Sequence, residues 1–152
     1  MALNFCIVST HSCPGEKIGL NNAGGLNIYV NNLVNFLSSS HNVYLITKDC
    51  DNCDLSFFQD NVSVIHCNPK NYDHKNVLPN FDMIISNYWT SGIFCRSNFS
   101  KSNAIKINIS HTLEYLKKEH ISSYKVDSAR VKIEKKNLNF FDYTLSFSDL
   151  ES

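Results

Sequence analysis

Apolar and polar positions alternate along this chain in two rhythms. Short apolar runs with β-branched members at residues 4–10, 42–47, 62–66, 81–86, 104–109 and 143–147 predict six strands. Between the first two runs, Leu26, Tyr29, Val30, Leu33, Val34 and Leu37 recur at the spacing of one helical face, and the helix ends near Ser38-Ser39-Ser40. Weaker helical patterns cover residues 90–99, the stretch through Leu113, Leu116 and Lys117, and residues 129–141. Residues 11–22 hold Pro14, Gly15 and Gly19 and read as a loop. Residues 48–61 are irregular, and residues 67–79, broken by Pro69 and Pro79, read as a surface loop.

Strand, glycine turn, helix and strand at the start of the chain make a βαβ unit, whose crossover forces parallel strands. Continued alternation predicts one α/β domain over residues 1–152, a Rossmann-like, doubly wound, mainly parallel sheet. In such sheets the ligand lies beyond the carboxyl ends of the strands. His11 and Gly24-Gly25 follow the first strand, and Lys75 precedes the fourth. Asn87-Tyr88-Trp89 follow the fourth, and His111-Thr112 the fifth. Two glycines at a helix start let an anion approach unpaired N–H groups, although they also suit a plain strand-to-helix turn.

Charge narrows the partners. Fourteen basic residues balance fourteen acidic ones, so no nucleic acid or anionic membrane is expected as a partner. No apolar run has the length of a membrane span, and no basic residue precedes the short apolar start. Six cysteines in that setting read as reduced thiols of a cytoplasmic protein, which makes the Asn-x-Ser triplets at Asn61, Asn98 and Asn108 chance matches. Cys50 and Cys53 have metal-like spacing, but no second pair follows. His66 and Cys67 complete a site only if the fold brings them close. The simpler reading is a loop with two thiols, and no metal is expected.

The ordered series Ser9-Thr10-His11-Ser12, Ala23-Gly24-Gly25-Leu26-Asn27-Ile28-Tyr29-Val30, His41-Asn42-Val43, Asn87-Tyr88-Trp89-Thr90-Ser91-Gly92 and His111-Thr112-Leu113 carries a family likeness. Arg130 with Glu134, Phe141-Asp142-Tyr143 and Ser148-Asp149-Leu150-Glu151 continue it. The series resembles the amino-terminal, acceptor-side domain of retaining GT-B glycosyltransferases of family 4, with the mycothiol-pathway N-acetylglucosaminyltransferases and the sucrose-phosphate synthases as the nearest types.

That resemblance implies transfer of a sugar from a nucleotide-sugar, a UDP-sugar by analogy, to a small polyol or sugar phosphate with retention at the anomeric carbon. No cofactor beyond that co-substrate is implied. Gly24 and Gly25 would face the donor diphosphate, and His111 would contact the transferred sugar as the catalytic residue. Lys75, Tyr88, Thr112 and Arg130 would cage an acceptor phosphate, with Asn27 beside the acceptor hydroxyls. The donor-binding carboxy-terminal domain of a GT-B enzyme has no counterpart in these residues. The expectation is therefore a half-enzyme, inactive until a separate donor-domain subunit or segment joins it. The rival reading is a non-catalytic Rossmann-like binding or regulatory module, a relic of such an enzyme. An ordinary dinucleotide-binding domain fits less well, because Gly24-Gly25 lack the Gly-x-Gly-x-x-Gly spacing.

Overall fold

The computed structural model describes residues 1–17, 19, 24–50, 53–68, 78–117, 121 and 123–147. Within them the chain runs β1 (Asn4–Ser9), α1 (Gly25–Ser38), β2 (Asn42–Lys48), β3 (Val62–Cys67), β4 (Met83–Asn87), α2 (Tyr88–Asn98), β5 (Ile105–Ser110), α3 (Ser128–Leu138) and β6 (Tyr143–Ser146). The six strands form one sheet in the order β3-β2-β1-β4-β5-β6, and every pairing is parallel. This is a doubly wound, Rossmann-like sheet. Winding reverses between β1 and β4, and a crevice opens there at the carboxyl ends.

Strand alternation sorts the core into two layers. Phe5, Ile7, Val43, Leu45, Ile85 and Ile109 face α1, which contributes Val30 and Val34. Cys6, Val8, Ile46, Ile65, Ile84 and Ala104 face the other way, onto Phe94, Cys95 and Phe99 of the α2 region and Phe141 after α3. The buried seam of α1 runs through Asn27, Val30, Val34 and Ser38, while Leu26, Tyr29, Leu33 and Leu37 pack at its flanks. Hydrophobic periodicity thus points to the right face but misses its polar members.

Two boundaries differ from expectation. The apolar pattern starts α2 at Thr90, yet the helix begins at Tyr88 directly from β4, with Tyr88 at φ 74°. A bulky residue in the left-handed region costs on the order of 1–2 kcal/mol, and here it lets strand and helix join without a loop. Pattern alone extends the last helix to Phe141, but it closes at Leu138 and starts under an Asp127 cap that accepts from the N–H groups of Ala129 and Arg130. After His111, residues 114–116 form a turn that leads into a helical Lys117, and the rest of the expected helix, residues 118–120, lies outside the described residues.

Candidate functional site

The crevice is floored by the start of α1. Gly24 precedes the helix, no side chain caps it, and no acidic residue lies in its first turn. The first-turn N–H groups and the positive end of the helix dipole therefore lack a carboxylate partner from that turn. Neither glycine has positive φ, and a Cβ added to either would meet no atom of the described residues within 4 Å. Internal sterics do not demand glycine at these two places. The open space above them suits the close approach of an anion.

Opposite stands His111, at the end of β5. Its ring packs edge-on to Tyr29 of α1 at 5.0 Å between centroids, and Phe147 closes on both at 5.1 and 5.3 Å. Burial pushes the His111 imidazole down to about 4, so it is neutral at ordinary pH. His111 Nε2 faces Asn87 Oδ1 at 3.4 Å, and an amide oxygen only accepts, so this contact keeps the proton on Nε2. Asn87 is fully buried, and its Nδ2 has no partner among the described residues. An amide donor left over beside a neutral histidine is a buried polar group of the kind that a bound polar ligand or water satisfies.

Tyr88 lies on the other flank. Its ring packs on His11 at 4.6 Å and beneath the Arg130 guanidinium at 4.9 Å. Burial, then Lys48 and Arg130, holds the His11 imidazole below its usual range.

Arg130 is not a free cation. Its Nε donates to Glu134 Oε1 at 2.8 Å, Nη1 meets Glu114 Oε2 at 2.9 Å, and Nη2 donates to the Thr112 carbonyl at 2.7 Å. Glu114 is buried. Burial alone would raise its carboxyl, but the Asp127 N–H, the Tyr124 hydroxyl, Lys117 and Arg130 outweigh that and hold it at about 2. Two carboxylates thus balance Arg130 and Lys117. A phosphate reaching Arg130 must compete with them.

Asn27 is also engaged. It is buried, its Oδ1 accepts from Ser12 Oγ, and its Nδ2 donates to the Cys13 carbonyl at 2.6 Å. It ties the loop after β1 to α1. Thr112 is exposed, with its carbonyl held by Arg130. Lys75 lies outside the described residues. The fold therefore gathers Gly24, Gly25, Asn87, Tyr88, His111, Thr112 and Arg130 at one sheet edge and brings Tyr29 and Phe147 to it, to which the sequence assigns no ligand role. Between α2, β5 and α3, a cavity of about 10 Å³ lined by Trp89, Ser110 and Glu134 has room for about one water and no sugar. Among the described residues, no helix is long and apolar enough to cross a membrane.

No protein-family model and no curated protein matches the sequence. Solved structures do. The chain superposes on sucrose-phosphate synthase from Thermosynechococcus elongatus with a TM-score of 0.77 at 21% identity, covering 98% of this chain and 43% of that one. A second structure of sucrose-phosphate synthase from that organism gives 0.60 at 16% identity, over 97% of this chain and 78% of that one. The chain therefore has the fold of one Rossmann-like part of that synthase, and spans less than half of the longer structure.

Proposed function

We propose that this chain is the acceptor-side half of a glycosyltransferase, which moves a sugar from a nucleotide-sugar to a small polyol or sugar phosphate with retention. The observation that carries this reading is the pairing, across the switch-point crevice, of an uncapped glycine turn with a neutral His111 and the unpartnered Asn87 amide. In the proposed roles, the α1 N-terminus faces growing negative charge on the leaving diphosphate. His111 and Asn87 hydrogen-bond the transferred sugar, and Tyr88 and Thr112 contact the acceptor. Arg130 orients Thr112 and Tyr88; it takes a phosphate only by exchanging a carboxylate.

Turnover needs cations on the diphosphate, and Arg130 is already neutralised. The 152-residue chain by itself should therefore bind but not turn over, and a donor-binding partner domain should restore transfer. Calorimetry with a UDP-sugar and with an inositol phosphate tests this. Binding that Gly25→Val abolishes, without loss of the folded state, is expected. Binding untouched by Gly25→Val and by Asn87→Ala, or no binding of either ligand class, would refute it.

A further inference from the structure

At the far side of the same sheet edge, three segments bring four soft side chains to one point. Cys13 comes from the loop after β1, Cys50 and Cys53 from the loop after β2, and His66 from the end of β3. Their ligand atoms all lie within 4.8 Å of one another. His66 Nε2 stands 3.6 Å from Cys13 Sγ, 3.6 Å from Cys50 Sγ and 3.5 Å from Cys53 Sγ.

Hydrogen bonding does not explain this arrangement. One ring nitrogen has one lone pair or one proton, and cannot serve three thiols at once. A central cation does. Zinc bonds sulfur at about 2.3 Å and imidazole nitrogen at about 2.0–2.1 Å, so the tetrahedral angle puts the two ligands about 3.6 Å apart. Four ligands converging on one point suit a single ion rather than an iron–sulfur cluster, which spreads its thiolates over several irons.

We propose that Cys13, Cys50, Cys53 and His66 form a closed, tetrahedral structural zinc site. Four protein ligands leave no position for water or substrate, so the ion clamps and does not catalyse. The surroundings are built for close approach. A Cβ on Gly15 would lie 2.7 Å from Cys53 Cβ and 2.8 Å from the Asp54 carbonyl oxygen, and the Asp54 N–H donates to the Gly15 carbonyl at 3.2 Å. The clamp pins the loop that Asn27 holds from the other side, through the Cys13 carbonyl. Cys67 is excluded, because strand alternation turns it into the opposite core layer with Ile65.

The test uses the full 152-residue chain, reduced. Elemental analysis after gel filtration should give close to one zinc per chain. Cobalt(II) added to the metal-stripped protein should develop the intense ligand-field and thiolate charge-transfer bands of a tetrahedral site. Cys13→Ser and Cys53→Ser should weaken cobalt binding roughly 100-fold or more. His66→Cys should keep it, and Cys67→Ala should leave it unchanged. A wild-type chain that retains no zinc and gives only octahedral cobalt spectra would overturn the proposal, with no dependence on how any variant folds. Unchanged affinity in Cys13→Ser would overturn it as well.

Discussion

Arg130→Ala separates two roles that a sequence cannot tell apart. If the guanidinium waits for a phosphate, its removal leaves the fold intact. The structure instead gives it two carboxylates and a carbonyl in a buried setting. Truncation strands Glu134 without a cation, while Glu114 keeps Lys117 at 3.2 Å. Removing one partner of a buried ion pair costs about 3–5 kcal/mol, and the surviving Lys117 contact sets this case near about 3 kcal/mol. For a chain of this size that is a fall in Tm of roughly 6–12 °C. Urea unfolding monitored by far-UV circular dichroism measures it directly. Glu134→Gln in the Arg130→Ala background should recover part of the loss, since the stranded charge is then gone. A loss below about 1 kcal/mol, the range of an exposed ion pair, would refute the argument and return Arg130 to the pool of free phosphate ligands.

Gly92→Ala would drive a Cβ into Asn137 Nδ2, whose bond to the Trp89 carbonyl joins α3 to α2; we expect a loss of about 1–3 kcal/mol by chemical denaturation despite alanine's better helix propensity, and relief in the double variant with Asn137→Ala. The His111 imidazole should titrate near 4 by NMR. Unfolded histidine takes its proton near about 6.5, so the His111 contribution is present above that pH, is lost as pH drops from there towards 4, and gives no pH dependence above that window. Glu114 acts lower: its contribution is present above the unfolded carboxyl range and is lost as pH falls through about 2.

Much of this architecture is legible in the chain because parallel strands are buried on both faces and read as apolar runs, as residues 4–10 and 42–47 do. The glycine turn and His111 are legible for another reason, since residues just past strand ends must reach the crevice. The remainder depends on contacts between distant segments. Arg130 and Glu134 share a helix face at four-residue spacing, but the approach of Glu114 from the turn after β5 has no local signature. Asn27 resembles a ligand contact by position and is a loop tie by geometry. Cys13 stands far from Cys50 and Cys53 in sequence, so their spacing looked incomplete. Period-two alternation would have ruled that His66 and Cys67 cannot both turn to one site.

The central claim is that the crevice between β1 and β4 receives a nucleotide-sugar and a small acceptor. Backbone amide chemical-shift mapping during titration with an inositol phosphate, the acceptor class, and then with a UDP-sugar tests it most directly. Shifts should concentrate at Gly24, Gly25 and Leu26, with His111 and Asn87 responding together and the opposite sheet edge around Ser40, Asp82 and Ser102 silent. Shifts confined to that opposite edge, or none at ligand excess, would contradict it.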